Sequence, residues 1–219
     1  MYIQPYPENE SNNQSIIRII KNELKLNVKK LYRMEKKGAV KIWRAELARG
    51  KSLRIDNRAV GNSVYLQKLA LKNGVNVPRV LYYKNIKIST WVNGEMLSNV
   101  FDDANAFIEV GRQLAKMNSI VDPSTGRCLT NSDMGITNFI YTKNKQIYII
   151  DMNTMRLTRN PDSSICKMLL KRIRDPERNA LILKGYGETR DTKKIIKAAE
   201  KLNWKWGHRG FRKNTSPCA

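Results

Sequence analysis

The first part of the chain shows a helical hydrophobic pattern followed by short alternating segments. Ile16, Ile20 and Leu24 recur at one-turn spacing and so share one face of a helix. Three segments of strand-like composition follow, separated by turns that contain Gly38 and Gly50. The predicted strands are KKLYRM, VKIWRAEL and SLRI. Together these elements predict a helix followed by an antiparallel meander.

The middle of the chain predicts two helices with two strands between them. Gly74 is a natural stop for the first helix. Asp102 and Asp103 lie at the N-terminal end of the second helix, where the helix dipole favours negative charge. In chain order the segments are NSVYLQKLALKNG, VNVPRVLYYKN, IKISTWV and DDANAFIEVGRQLAKMNSI.

The last part of the chain predicts a hairpin and then helical structure. FIYT and IYIID are the two strands of the hairpin, around the turn KNKQ. From Ile165 to about Asn203 the pattern is helical and basic. At the other end of the chain, residues 1–14 are polar and predict a flexible or loosely packed lead.

The charge balance is the strongest feature of the composition. Lys and Arg number 41 against 19 Asp and Glu, a net charge of +22. Most of this excess lies in the two ends of the chain, before Arg58 and after Arg156. For any single lysine, a solvated face is sufficient explanation. An excess of this size favours an anionic partner: nucleotide, RNA, phospholipid headgroup or lipopolysaccharide phosphate.

Several classes of protein are excluded by composition. Cys128, Cys166 and Cys218 are widely spaced, and His208 is the only histidine, so neither a zinc site nor a disulfide framework is expected. No apolar run approaches membrane-spanning length, and the polar N-terminal segment lacks the basic-then-apolar pattern of a signal peptide. We therefore expect a cytoplasmic protein.

The candidate chemistry lies in the near-neutral middle of the chain. Asp133 and Asn138 are five residues apart, and Asp151 ends the second hairpin strand. Carboxylate and amide oxygens suit Mg²⁺, which bridges protein oxygens to substrate phosphates. A further carboxylate could accept a proton from an attacking hydroxyl. The alternative is that these residues only form turns, as Asp and Asn often do.

The order of six motifs resembles the protein-kinase-like superfamily, in particular its small non-classical branch. That branch includes aminoglycoside phosphotransferases, lipopolysaccharide core and Kdo kinases, RIO kinases and the KEOPS-complex kinase. NSDMGITN followed by IIDMN resembles the catalytic and metal-binding loops. The other matching segments are KGAVKIWRAEL, LALKNGVNVPRVL, ISTWVNGEML, VGRQLAKMNSI and NALILKGYGE.

This resemblance implies an α+β, two-lobed protein-kinase-like fold. Residues 15–92 would form an N-lobe with a small antiparallel β-sheet plus one helix, and residues 93–219 a mainly helical C-lobe with a short catalytic hairpin. Asp133 would orient and deprotonate the acceptor. Asn138 and Asp151 would hold Mg²⁺. The backbone around Thr90, Trp91 and Val92 would bind the nucleotide base of ATP.

The chain departs from the family pattern at several positions. Arg54 stands where the third strand usually carries the phosphate-binding lysine, and it either contacts phosphate or faces solvent. The predicted helix after that strand has no acid, and Gln67 is its nearest polar candidate. Asn118 and Asn131 replace two histidines that are common in the family. These changes remove none of the three residues that the reaction most directly needs.

Two classes of function follow. The first is an ATP- and Mg²⁺-dependent phosphotransferase, with a sugar hydroxyl of an anionic glycolipid such as lipopolysaccharide core as the favoured acceptor and an atypical RIO- or KEOPS-like protein kinase as an alternative. The second is a non-catalytic kinase-like module that binds RNA, membrane or a protein partner. In both, the basic ends could hold the chain at the inner membrane face. The C-terminal WKWGHRGFRK is either a basic-aromatic nucleic-acid contact or a packed helix end.

Overall fold

The computed structural model describes residues 10–34, 42–57, 61–84, 86–163, 165, 169, 173, 175–193 and 195–197. Its helices and strands are α1 Glu10–Leu24, β1 Val28–Met34, β2 Ile42–Leu47, β3 Ser52–Asp56, α2 Gly61–Lys72, β4 Val80–Tyr83, β5 Lys87–Thr90, β6 Glu95–Met96, α3 Ala104–Asn118, β7 Cys128–Asn131, β8 Phe139–Tyr141, β9 Ile147–Ile149, β10 Met155–Thr158 and α4 Pro176–Gly187.

The first five strands form one antiparallel sheet in the order β1-β2-β3-β5-β4, so the predicted meander is confirmed. Helix α1 packs on one face of this sheet. Ile16 and Ile20 of the helix form a buried cluster with Trp43, Ile55 and Ile88 of three strands. Because side chains alternate along a strand, the neighbours of these residues point to the opposite face.

That opposite face of the sheet is polar where β3 and β5 pair. Asp56 lies directly opposite Lys87, and Arg54 directly opposite Ser89. Helix α2 crosses near this face and ends as predicted before Gly74, whose φ of +76° is the left-handed conformation that glycine adopts most easily. The sheet therefore presents one apolar face to α1 and one partly charged face toward the rest of the molecule.

Helices α3 and α4 form the centre of the C-terminal half. The N-terminus of α3 is capped by Asp103, whose carboxylate accepts hydrogen bonds from the backbone N–H groups of Asn105 and Ala106. The predicted apolar stripe of α3 is fully buried, and it comprises Phe107, Val110, Leu114 and Met117. The α+β architecture expected from the sequence, a sheet with helices followed by a mainly helical part, is confirmed.

Short strands connect these two parts. The predicted hairpin is present as β8 and β9, and β6 pairs with β8 to complete a three-stranded sheet. Strands β7 and β10 form a second small sheet. Gly94 precedes β6, and a side chain there would overlap the carbonyl of Tyr141. The connection between the two parts thus lies directly against the hairpin.

Two expectations are refined by the structure. Residues 10–14, which were assigned to a loose lead, belong to the first turns of α1. The helical pattern after Ile165 includes a new start at α4, because Asp175 caps the helix by accepting from the Arg178 backbone N–H and Pro176 occupies its first turn.

Other expectations remain predictions. The turn at Gly38, Cys166, His208 and the segment WKWGHRGFRK lie outside the described residues. The boundary between residues 92 and 93 also stays a prediction. Among the helices that the structure describes, none combines the length and apolar character needed to span a bilayer.

Candidate functional site

Asp133 and Asn138 lie on one short loop between β7 and β8. The Asn138 side-chain amide donates to the Asp133 carbonyl at 2.9 Å, and its backbone N–H donates to the Gly135 carbonyl at 2.9 Å. Both side chains are half-buried. The loop is therefore closed on itself by Asn138, and the Asp133 side chain projects from a fixed backbone.

Asp151 follows β9 and is joined to the same loop. The Ile150 backbone N–H donates to the Asn138 carbonyl at 2.8 Å. Asp151 itself has φ +57° and ψ +60°, the left-handed region that few residues other than glycine, asparagine and aspartate occupy. Such conformations concentrate at functional sites. The structure thus places the backbone of the Asp151 segment against the loop that carries Asp133 and Asn138, and their shared role in a site stays a prediction.

Asn131 links the two segments that carry these aspartates. Its side-chain oxygen accepts from the Asp133 backbone N–H at 3.0 Å and from the Thr154 hydroxyl. Its side-chain nitrogen donates to the Asp151 carbonyl at 3.4 Å. Asn131 is fully buried at the end of β7. An asparagine at this position can brace both segments because its amide offers an acceptor and a donor on opposite arms.

The chemistry of this group suits a hard divalent cation that also binds phosphate. Because the Asn138 amide nitrogen is committed to Asp133, its oxygen is held on the other arm of the amide, where it can act as a ligand. Within the described ranges, no three His, Cys, Asp or Glu side chains are grouped to hold a metal ion. One carboxylate and one amide, completed by substrate phosphates, is a common arrangement for Mg²⁺.

The segment Thr90 to Val92 lies at a separate cleft of about 840 Å³, whose walls also include Glu95, Asp103, Tyr141 and Tyr148. The Thr90 N–H donates to the Arg79 carbonyl at 2.9 Å, and the Trp91 N–H to the Ser52 carbonyl at 3.1 Å. The Val92 N–H enters none of the hydrogen bonds recorded among the described residues. Asp133, Asn138 and Asp151 do not line this cleft.

No protein-family model matches the sequence, and no curated protein matches it. Solved structures do match. A spectinomycin phosphotransferase in complex with ADP and spectinomycin gives a TM-score of 0.69 at 12% identity, over 91% of this chain and 85% of that one. A macrolide 2′-phosphotransferase from Brachybacterium faecium gives 0.66 at 11% identity, over 86% and 88% of the two chains. The chain has the protein-kinase-like fold.

The likeness extends to kinases of other small molecules. An ethanolamine kinase from Plasmodium vivax gives a TM-score of 0.65 at 10% identity, over 89% of this chain and 78% of that one. At such identities the match shows the fold alone. The resemblance stated from the sequence is confirmed at that level.

Arg54 occupies β3 of the kinase-like sheet, on the face opposite α1. Its guanidinium lies 3.5 Å from Asp56 on the same strand, and its side chain is only 18% exposed. Arg54 is therefore neither a simple solvent-facing residue nor a cation without a counter-charge. It is held by a carboxylate that sequence reasoning did not single out.

Two further residues that contact this face, Lys87 and Asn153, were also missed. The Lys87 amine donates to the Asn153 side-chain oxygen at 2.7 Å, and the Asn153 side-chain nitrogen donates to Asp56 at 3.0 Å. The Lys87 amine also lies 3.4 Å from the side-chain oxygen of Gln67 in α2. The alternating pattern I-K-I-S-T of residues 86–90 could have revealed Lys87. Ile88 points to the apolar face of the sheet, so alternation along the strand points Lys87 to the other face.

Proposed function

We propose that this chain is an ATP- and Mg²⁺-dependent phosphotransferase that transfers the terminal phosphoryl group of ATP to a hydroxyl group. The observation that carries the proposal is the contact set of Asn131. One buried side chain holds the backbone of Asp133 and that of Asp151, so a candidate base and a candidate metal ligand keep a fixed relation. Phosphoryl transfer depends mainly on such positioning and on electrostatic stabilisation.

In this proposal each residue has a distinct role. The Asp133 carboxylate accepts the proton of the acceptor hydroxyl, whose oxygen forms the new bond to the terminal phosphorus as the bond to the ADP oxygen breaks. Asn138 and Asp151 would hold Mg²⁺ through their side-chain oxygens. When bound, the metal ion neutralises the charge on the phosphate oxygens.

The nucleotide base would bind along Thr90, Trp91 and Val92. Two of the three backbone N–H groups there are already used within the protein. The Val92 N–H is therefore our candidate donor to the base. Val92 is half-buried at the cleft, and a bound base would give its backbone donor a partner.

The acceptor is proposed to be a hydroxyl-bearing small molecule, and more specifically a sugar hydroxyl of an anionic glycolipid such as lipopolysaccharide core. The net charge of +22 supports an anionic acceptor. The similar structures carry names that specify small molecules, among them spectinomycin and ethanolamine. A protein acceptor of the RIO or KEOPS-kinase kind is the alternative.

A non-catalytic binding module is the second candidate function. It is favoured by the absence of lysine from β3 and of any acid from α2. Such a module would use its basic residues to hold RNA, membrane or a protein partner.

Binding and turnover of ATP separate the two candidates. We would measure both, with and without Mg²⁺, for the wild-type chain, Asp133→Asn, Asp151→Asn and the control Ser132→Ala. The enzyme should bind ATP in a Mg²⁺-dependent manner that Asp151→Asn weakens, and both aspartate variants should lose turnover. ATP binding without turnover on sugar, glycolipid and protein acceptors would favour the binding module. Absence of ATP binding together with salt-sensitive RNA binding would exclude the phosphotransferase.

A further inference from the structure

Lys87 is a buried cation at the junction of the sheet and the segment that carries Asp151. It is only 4% exposed, and its amine reaches Asn153, which lies two residues after Asp151. Long charged side chains are seldom buried unless their charged end is bound. The position of Lys87 is therefore set by specific polar partners.

The Asn153 side-chain amide contacts one cation and one anion, each through a different atom. Its oxygen accepts from the Lys87 ammonium, and its nitrogen donates to the Asp56 carboxylate. Asp56 and Lys87 lie opposite one another on β3 and β5, so their side chains leave the sheet on the same face. Asn153 thus ties the turn after Asp151 to a pair of opposite charges on two strands.

The charges in this cluster leave a positive excess beside the candidate metal segment. Among the described residues of this cluster, Arg54 and Lys87 are two cations, and Asp56, which contacts Arg54 and is paired across the strands with Lys87, is one carboxylate. Gln67, the α2 residue that accepts from Lys87, is neutral. Phosphoryl transfer needs positive charge near the donor phosphates, and this cluster can supply it.

Of the two cations, Lys87 has the contacts expected of a phosphate ligand. Arg54 turns back toward Asp56 on its own strand. Lys87 instead reaches away from the sheet, to α2 on one side and to the Asp151 segment on the other. A compact ammonium with three donors can keep one partner and exchange another for a phosphate oxygen.

We propose that Lys87, delivered from β5, is the lysine that binds the donor phosphates at this site in place of a lysine on β3. Gln67 and Asn153 hold its amine in position, and Asp56 in turn holds the Asn153 amide. This inference rests on the proposed phosphotransferase function.

Binding of nucleotides with and without phosphates tests this role. We would titrate MgADP and adenosine into the wild-type chain, Lys87→Met, Arg54→Met and the exposed control Lys84→Met. Losing a charge-assisted hydrogen bond should weaken MgADP binding about 10- to 100-fold in Lys87→Met, with adenosine binding unchanged. Arg54→Met should lose less than Lys87→Met, and Lys84→Met should bind both ligands like the wild type.

An exchange of the two charges provides a gain-of-function test. In the triple variant Arg54→Met, Asp56→Lys, Lys87→Asp the lysine moves to β3 with no second cation beside it, and the Asn153 amide can serve the exchanged charges by turning over. MgADP binding should recover most of what Lys87→Met loses. The triple variant Arg54→Met, Asp56→Asn, Lys87→Met, which removes both cations of the cluster together with its carboxylate, should stay folded by circular dichroism and still bind MgADP weakly.

Several results would overturn the inference. One is that Lys87→Met binds MgADP as tightly as the wild type. Another is that Lys87→Met loses as much affinity for adenosine as for MgADP. A third is that Arg54→Met loses more MgADP affinity than Lys87→Met does. If the wild-type chain binds no MgADP at all, the proposed function fails first and this inference fails with it. Tight, Asp151-dependent binding of MgADP that is indifferent to Lys87 would refute the inference alone.

Discussion

Gly111 of α3 and Gly185 of α4 face each other where the two helices pack together. A side chain on Gly111 would overlap the Ile182 carbonyl, and one on Gly185 would overlap the Ile108 carbonyl. Backbone thus packs against backbone at this point. The two glycines belong to the sequence segments VGRQLAKMNSI and NALILKGYGE, so the structure gives a packing reason for both.

We expect Gly111→Ala and Gly185→Ala each to destabilise the fold by about 1–3 kcal/mol or more, because a rigid backbone cannot yield as a side chain can. The measurement is chemical denaturation. Gly187→Ala is the matched control, since its new methyl group would meet only the Thr192 side chain at 3.2 Å. Equal stabilisation of all three variants, which the higher helix propensity of alanine alone would give, would contradict a role for the close approach.

Asn131→Ala should reduce turnover more than it reduces nucleotide affinity. The change removes the acceptor for the Asp133 N–H and the donor to the Asp151 carbonyl, and so loosens two loops at once. Buried groups left without partners should also lower stability by about 1–3 kcal/mol.

Ser132→Ala is the control for this prediction. Its hydroxyl donates to the Thr154 carbonyl at 3.1 Å but lies at the exposed side of the same loop. Steady-state kinetics with ATP and an acceptor would make the comparison. Wild-type kinetics in Asn131→Ala would contradict the bracing role.

Asp122, which lies away from the candidate site, is expected to make the stability of the fold depend on pH. Hydrogen bonds from Ser124 first, and from Tyr65 and Thr125, lower the pKa of Asp122 from 3.8 to about 2. Tyr65 lies in α2, and its hydroxyl is 2.6 Å from the Asp122 carboxylate beyond the end of α3. The ionised form is thus favoured in the folded state.

The stabilisation that Asp122 contributes is complete above its unfolded pKa of 3.8 and is lost as the pH falls toward about 2. Asp122→Asn should therefore lower the Tm at pH 7, with the difference from wild type shrinking below pH 4. Tyr65→Phe should show a smaller effect of the same sign. The exposed control Glu95→Gln should leave the dependence of Tm on pH unchanged. A Tm difference between Asp122→Asn and the wild type that is the same at all pH values would contradict the prediction.

Much of the fold follows from local pattern. Alternation located the strands from KKLYRM to SLRI, and one-turn spacing located α3, because these elements each bury a single face. The new start at α4 was less evident. Its Asp-Pro pair at 175 and 176 is a helix-start feature inside a segment whose overall pattern is helical throughout.

The candidate site also contains some residues that the sequence could group and others that it could not. Asp133, Asn138 and Asp151 are close in sequence and could be grouped by motif. Lys87 and Asp56 could not, because they meet only when two strands pair across 31 positions of chain. Strand pairing and the contact with Asn153 are tertiary facts, and no local pattern specifies them.

Asp151→Asn should keep nearly the full stability of the wild type. Asparagine also tolerates a left-handed backbone, and Asn131 holds the carbonyl of residue 151 and not its side chain. Asp151→Val should lose about 1–2 kcal/mol from the backbone conformation alone. Thermal melts of the two variants provide the test, and equal losses would show that the side chain itself supports the fold.

If Asp151→Asn keeps the stability of the wild type, the left-handed backbone at residue 151 does not depend on the carboxylate. Aspartate and asparagine codons differ by a single nucleotide. A lineage carrying this fold could then lose its candidate metal ligand in one mutational step without losing the folded protein. Selection for a retained binding role could act on an intact scaffold, so the proposed catalytic activity could be gained or lost in evolution separately from stability.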